Sequence, residues 1–418
     1  MKSGHVPEQW KRSIITPVAK IKNPSRTSDY RPISVTSILS RKLEHYIVEM
    51  YLYPAMLSPP AELIFEDQYA FKPTGSTTAA LIALISFVTE MLREGKSVVW
   101  LSLDFSKAFD RVRHNTLFTK FERLDMERDV YNWILSYFDN RQHTTKFQGV
   151  VSGTRIINAS VVQGSGLGPA SFAVAASDLK PKSKSFKMLK YADDIDLLTS
   201  TEHYEEIAEE VKHIELWAAT NNLTLNRDKT KELIFTAGRA KNQPAITEGI
   251  ERVTCMKKLG VTLQSKLSMK DHVDELLTDC TNLLYAMNVL RSHGMNDEGL
   301  QKVFNSKVVS KLTYASSAWS GMANRDECGR INSFLLRSKR FGYYPKEGLS
   351  FEQLCVEADE RLFKKILDNS DHVLFKFLPT KKQTKYDMRK RNHDFILPIK
   401  DDRNFFNRVL FRDIVSKK

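Results

Sequence analysis

Cysteine is scarce in this chain of 418 residues: four are present, Cys255, Cys280, Cys328 and Cys355. They are too far apart for a CxxC metal pattern or a compact disulfide framework, and such usage fits a reduced intracellular compartment, nuclear or cytoplasmic. The first residues, Met-Lys-Ser-Gly-His-Val-Pro, contain no apolar core of the kind a secretory signal needs. The apolar run Ala79–Val88 falls well short of the ~20 residues of a membrane span, so no membrane partner is expected. Internal repeats, low-complexity tracts and Gly/Ser linkers are also missing, and the organisation has to be read from hydrophobic patterns.

What is present is an ordinary globular composition, 42% apolar and 27% charged, long enough for two or three compact units. Basic residues outnumber acidic ones by 63 to 50, a formal charge of +13. That excess favours a polyanionic partner such as nucleic acid, although net charge speaks of partners and not of chemistry.

From Val6 to Pro32 the chain is basic and punctuated by Pro7, Pro17, Pro24 and Pro32, which predicts short extended segments. Helices are expected at Ser40–Leu52, at Thr77–Glu94 between Ser76 and Gly95, and at about Asn115–Leu124 and Arg128–Phe138. Val98–Leu103 reads as a buried strand ending on Asp104. Strands are expected near Thr144–Val151 and Arg155–Val162, ahead of the turn Gln163-Gly164-Ser165-Gly166-Leu167-Gly168-Pro169. Phe186–Tyr191 and Ile195–Thr199 look like the arms of a hairpin with Ala192-Asp193-Asp194 at its tip. After a helix at Tyr204–Asn221 come strands near Thr230–Phe235 and Lys258–Leu263. Beyond Lys270 the pattern is helical, at Asp271–Arg291, Asp297–Trp319, Arg325–Phe341, Phe351–Asn369 and Asn404–Val415. An α+β first half thus precedes an all-helical second half, the mark of a mixed-sheet catalytic unit with a helical, basic accessory unit.

Two adjacent carboxylates at an apolar hairpin tip repel one another unless a cation neutralises them. Alone, Asp193-Asp194 would more often be a turn or a helix cap. Asp104 ends a second apolar strand, however, and strand register could bring the three acids together. Oxygen-only clusters of this kind suit Mg²⁺, and two such ions ~4 Å apart can activate a hydroxyl and stabilise a leaving pyrophosphate.

Read together, Tyr191-Ala192-Asp193-Asp194, Leu103-Asp104-Phe105-Ser106-Lys107-Ala108-Phe109-Asp110 and Gln163-Gly164-Ser165 resemble the ordered motifs of reverse transcriptases, in particular non-LTR (LINE-type) retrotransposon polymerases. Trp10-Lys11, Ile15–Lys20, Asp29–Ser34, Asp67–Phe71 and Gly75–Thr78 resemble the fingers of that family. Leu225-Asn226, Lys229-Thr230 and Lys258–Val261 resemble its later palm motifs, and Thr313–Trp319 its thumb. The resemblance covers roughly Val6 to Phe341 with six or seven motifs in order.

It implies a right-hand polymerase: fingers and an antiparallel palm sheet over residues 1–270, a helical thumb over 271–345, and a helical basic region over 346–418. Asp104, Asp193 and Asp194 would hold two Mg²⁺, with Mn²⁺ as an alternative. Phe109 would lie under the incoming sugar and exclude a 2′-hydroxyl, and Gln163, Gly164 and Ser165 would touch template and nucleotide. Lys20, with Lys22 as a competitor, and Arg31 would grip the triphosphate. Lys229 would give a proton to pyrophosphate or orient it. The implied partners are an RNA template, a DNA primer and deoxynucleotides.

Val162 stands where a Pro or a basic residue often precedes the Gln, and the helix after Pro169 is unusually small and apolar (Ala170, Ala173, Ala175, Ala176). Neither departure removes a ligand. Pro379–Lys418 holds 12 basic and 5 acidic residues, 12 − 5 = +7, and could follow a phosphate backbone or dock on the thumb. The chain begins inside the fingers, and a fragment or truncated copy without the N-terminal endonuclease of LINE-type proteins is expected. An active RNA-directed DNA polymerase is the leading expectation. A catalytically inactive nucleic-acid-binding relic is the alternative, and an RNA-templated RNA polymerase a weaker third.

Overall fold

The computed structural model describes residues 4–236, 244–381 and 393–412. The larger part of the basic residues of Pro379–Lys418, and the end of the helix expected to reach Val415, lie outside the described residues.

Two five-stranded sheets organise the first half. The first joins β1 (Arg12–Ala19), β2 (Tyr30–Val35), β4 (Gln142–Phe147), β5 (Val150–Val151) and β6 (Arg155–Ile156), in the order β2-β1-β4-β5 with β6 also on β4. The second joins β3 (Val98–Leu103), β7 (Lys187–Tyr191), β8 (Asp194–Ser200), β9 (Lys231–Phe235) and β10 (Glu251–Val253), in the order β10-β9-β3-β8-β7. Its pairs are antiparallel as expected, except that the edge strand β10 runs parallel to β9.

Strand β3 is central and covered on both faces, which is why its sequence is a continuous apolar run. Val98 and Trp100 face a core shared with the helix Thr77–Arg93, while Val99, Leu101 and Leu103 face one shared with the helices His114–Phe121, Arg128–Phe138, Gly168–Ala175 and Ile207–Thr220. The helix Thr77–Arg93 starts where expected: the Ser76 hydroxyl accepts the Ala79 N–H at 3.1 Å. Its apolar run Ala79–Val88 packs between the sheet and the helical second half, and among the described residues no helix is long and apolar enough to cross a membrane.

Several expectations need correction. The strand expected over Arg155–Val162 keeps only Arg155–Ile156, because further on Ser160 N–H bonds Val112 C=O and Val161 N–H bonds Phe109 C=O. Those backbone donors are satisfied by the motif segment instead of by a sheet ladder. The single strand expected near Lys258–Leu263 is a hairpin, β11 (Cys255–Lys258) and β12 (Val261–Gln264), turning at Leu259-Gly260, both with positive φ. The long helix expected at Asp297–Trp319 is interrupted by a π-turn at Asn305–Val309 and by Ala315 at φ 50°. Among the described residues, the helix Phe351–Leu367 is followed by mostly irregular chain over 368–381 and 393–404, ahead of the short helix Phe405–Arg412.

That irregular chain returns to the sheet domain. Val373 N–H donates to the Thr74 hydroxyl (3.0 Å), the Lys376 ammonium to Glu66 C=O (2.6 Å) and the Asn404 amide to the Thr89 hydroxyl (3.1 Å). Arg408 pairs with buried Asp359 at 3.1 Å, so this cation is spent on docking.

A buried carboxylate joins the helix Ile38–Ile47 to the Gly-rich turn and to the helix Arg128–Phe138. Glu44, on the helix Ile38–Ile47, is fully buried, and its carboxylate accepts Gly166 N–H (2.7 Å), Leu167 N–H (3.1 Å), the Ser40 hydroxyl (2.7 Å) and the Tyr137 hydroxyl (3.2 Å). Gly166 is required here, since a Cβ would come within 3.0 Å of Arg41 C=O and of the Glu44 Cβ. Glu44→Leu strands four buried donors and should destabilise the fold by roughly 3–5 kcal/mol. Glu44→Gln keeps one acceptor and should lose clearly less; urea unfolding of both variants measures the difference.

Candidate active site

The carboxylates meet through register. In β3 and β8 the partners are Ser102↔Asp196 and Leu103↔Ile195, so one step further Asp104 stands opposite Asp194. In β3 and β9 the partners are Leu101↔Glu232 and Ser102↔Lys231, and the turn just before β9 carries Lys229 within electrostatic reach of Asp104. Tyr191 pairs with Asp194, leaving Ala192-Asp193 as a two-residue turn. The loop after Leu225 grips Asp104 by its backbone: Asn226 N–H donates to Asp104 C=O at 2.8 Å. Sequence reading had these four residues as one group, and the fold brings them to one end of the sheet.

Their electrostatics follow from that gathering. Burial pushes the carboxyls of Asp104 and Asp193 above the usual range, and the neighbouring aspartates raise them further, while the Lys229 ammonium draws Asp104 down. Among the described residues no group of three or more His, Cys, Asp or Glu is drawn tight enough to clasp an ion by itself. Magnesium of the phosphoryl-transfer kind binds through one or two carboxylates and completes its shell with water and substrate phosphates. The donors suit that mode: they are oxygen-only, partly desolvated and mutually repelling.

The turn itself is held from behind. Ala192 has φ 58°, a left-handed conformation that costs an alanine about 1 kcal/mol. The buried Gln68 side chain offsets this, its Oε1 accepting both Ala192 N–H (3.1 Å) and Ala70 N–H (3.0 Å). Residues 67–69 extend the sheet beyond β7, with Tyr69 N–H to Lys190 C=O (2.8 Å) and Lys190 N–H to Asp67 C=O (2.7 Å). Lys190, buried, pairs with Asp67 at 3.0 Å.

Beside the acids lies an aromatic floor. Phe109 stacks on Phe172 with centroids 4.3 Å apart and meets Phe71 edge-on at 6.3 Å. The small apolar helix Gly168–Ala175 that carries Phe172 is buried, so its alanines serve close packing. Gln163 donates its amide to Asp110 at 2.9 Å, and its C=O accepts Ser34 N–H at 2.8 Å, which ties the Gly-rich turn to β2. Gly164 has φ 103°, and a Cβ there would come within 2.6 Å of Ser34 C=O. Ser165 turns inward, its hydroxyl bonding Val162 C=O and Gly168 N–H, a structural use where a substrate contact was expected.

Burial raises the Asp110 carboxyl, and the charges of Lys107 and Lys20 pull it back, so Lys20 lies within electrostatic reach of this floor. Its ammonium bonds Ser28 C=O at 3.0 Å. Arg31 is exposed on β2, opposite Val18, and makes no hydrogen bond or ion pair with the carboxylate group.

The family model for reverse transcriptase (RNA-dependent DNA polymerase) matches residues 21–263, more than half of the chain. The chain is a member of the reverse transcriptase family. Its right-hand fold is therefore that of the family, with the second sheet as palm. Among curated relatives, the RNA-directed DNA polymerase from mobile element jockey of Drosophila melanogaster is 27% identical over 288 residues, 65% of this chain and 31% of that protein. The probable RNA-directed DNA polymerase from transposon BS of the same fly is 27% identical over 353 residues, 80% of this chain and 38% of that protein. This reverse transcriptase thus spans about a third of the length of those relatives. A telomerase from Candida tropicalis, solved in complex with a TWJ fragment of telomeric RNA, superposes with a TM-score of 0.45 at 13% identity, covering 86% of this chain and 61% of that one.

Sequence reading of this reverse transcriptase gave no role to Glu44, Gln68, Asp110 or Asp196. Each is a polar residue whose use depends on a partner far along the chain, as with Gln68 and Ala192, 124 residues apart. The one available signal was a place inside the quoted motifs, which two of them have, Gln68 and Asp110, while Asp196 lies two residues past the aspartate pair. Gln68→Met keeps the shape and removes the acceptor. It should slow single-turnover nucleotide incorporation by roughly ten- to hundredfold, the cost of misplacing reacting groups by about 1 Å, while circular dichroism stays that of a folded protein. Unchanged incorporation would show that the tip holds itself.

Proposed function

We propose that this reverse transcriptase is an RNA-directed DNA polymerase of the non-LTR retrotransposon type, transferring deoxynucleotides to the 3′-hydroxyl of a DNA primer on an RNA template. The observation that carries the reading is the register that sets Asp104 opposite Asp194, with Asp193 on the turn and Lys229 within electrostatic reach of Asp104. Asp104, Asp193 and Asp194 would hold two magnesium ions, with manganese as an alternative. When bound, these supply activation of the primer hydroxyl and neutralisation of the departing pyrophosphate.

The remaining roles belong to the chain's own side chains. Phe109, fixed between Phe172 and Phe71, offers a flat, rigid surface to the sugar and leaves no room for a 2′-hydroxyl. Gln163, held by Asp110, and the bare backbone of Gly164 line the approach of template and base. Lys20 and Arg31 neutralise the triphosphate, Arg31 with its bidentate fork. Lys229 holds a proton at Nζ for the leaving pyrophosphate. The excess of 13 positive charges suits a primed RNA template, whose phosphate contacts set affinity and make it salt-dependent.

Extension of a DNA primer on an RNA template, with Mg²⁺ and either deoxynucleotides or ribonucleotides, tests the reading. DNA product is expected. Binding of the primed template without extension would make the chain a relic, and preferential use of ribonucleotides would make it an RNA polymerase.

A further inference from the structure

Beneath the aspartate turn lies a buried ion pair that the reaction chemistry does not call for. Lys258, at the end of β11, extends its ammonium to 3.0 Å from Asp196, 3.0 Å from the Ser102 hydroxyl and 3.7 Å from Asp194 Oδ1. Asp196 and Ser102 lie at hydrogen-bond distance from the ammonium, and Asp194 only at ion-pair distance. The exposures rank the acceptors. Lys258 and Asp196 are 4% and 8% exposed, whereas Asp194 is 54% exposed and shares its charge with water. Asp196 is fixed in turn by the Trp100 indole N–H at 2.8 Å, and Trp100 stacks on Phe235.

We propose that Asp196 is a positioning residue for the metal ligands: it holds the Lys258 ammonium at 3.0 Å and keeps it from closing further on Asp194, 3.7 Å away, leaving that carboxylate to a divalent cation. The inference rests on reading the turn as a metal site. While the pair is intact Asp196 offsets the Lys258 charge, and only a part of it reaches the aspartate group, where it draws the carboxyls of Asp104 and Asp193 down a little. Without Asp196, a buried ammonium has one carboxylate left within reach, Asp194, and an unpaired buried charge is costly enough to drive that exchange. The same lysine ties the β11–β12 hairpin to the floor of the site, so the pair also sets where the hairpin rests against the palm.

The test compares full-length wild type with Asp196→Leu, the milder Asp196→Asn, Lys258→Met, and the double variant Asp196→Leu/Lys258→Met. Mn²⁺ binding without nucleotide is followed by electron paramagnetic resonance, and thermal midpoints are recorded alongside. Both Asp196 variants should bind Mn²⁺ more weakly, Asp196→Leu by roughly ten- to hundredfold, the range commanded by the outer partners of metal ligands. Lys258→Met, which leaves Asp196 buried without its cation, should lower the thermal midpoint. The double variant should recover both binding and midpoint. Wild-type binding in folded Asp196→Leu or Asp196→Asn overturns the proposal, as does a double variant that binds no better than Asp196→Leu. A wild type that binds no Mn²⁺ overturns the metal reading together with it.

Discussion

Asp193→Asn should reduce deoxynucleotide incorporation by roughly a thousandfold or more while raising the thermal midpoint of the metal-free protein. The first effect follows from losing a ligand for ions that stabilise transition-state charge by several kcal/mol. The second follows from linkage. Burial, and then the charges of Asp194 and Asp104, hold the Asp193 carboxyl above its unfolded value, outweighing its own backbone hydrogen bond. The folded state therefore keeps this proton more tightly than the unfolded chain, and stability falls as pH rises from the unfolded pKa through the folded one. Above the folded pKa the ionised group carries its full cost, which the isosteric amide removes. Primer extension and calorimetry on the same preparation check both halves. Loss of activity with a lowered midpoint would mark Asp193 as structural.

The second large effect concerns the sugar. Phe109→Ala should narrow the preference for deoxynucleotides over ribonucleotides by roughly a hundredfold, about the most that apolar packing can impose against one added hydroxyl. The ring is clamped by Phe172 and Phe71, so it cannot swing aside to admit a 2′-hydroxyl, and truncation removes the obstacle outright. The ratio of kcat/KM for the two nucleotide classes is the measurement. An unchanged ratio, with the protein folded, would remove Phe109 from the sugar site.

The gathering of Asp104, Asp193 and Asp194 was legible because the sheet that brings them together is written locally: β3 is a plain apolar run ending just before Asp104, and β7 and β8 flank a two-residue turn. Once those strands pair, register does the rest. The helix Arg128–Phe138 was readable for the same reason, its apolar period being complete within eleven residues. What was not legible depends on distant partners. Nothing around Gln68 announces that its carbonyl oxygen will hold Ala192, and nothing around Glu44 announces Gly166. The failed strand at Arg155–Val162 has the same origin, since its alternation is real but its donors go to Phe109 and Val112. The π-turn inside Asp297–Trp319 is set by packing among helices and left no sequence mark.

The return of Val373, Lys376 and Asn404 to the palm carries a consequence for the order in which the molecule is made. Lys376 caps Glu66 C=O, two residues before the glutamine that holds the aspartate turn, and Asn404 reaches Thr89; the separations are 310 and 315 residues. Contacts this distant in sequence close late, after the chain between them has been synthesised. A ribosome that stalls before residue 376 therefore releases a polypeptide that holds all three aspartates but lacks the brace behind them.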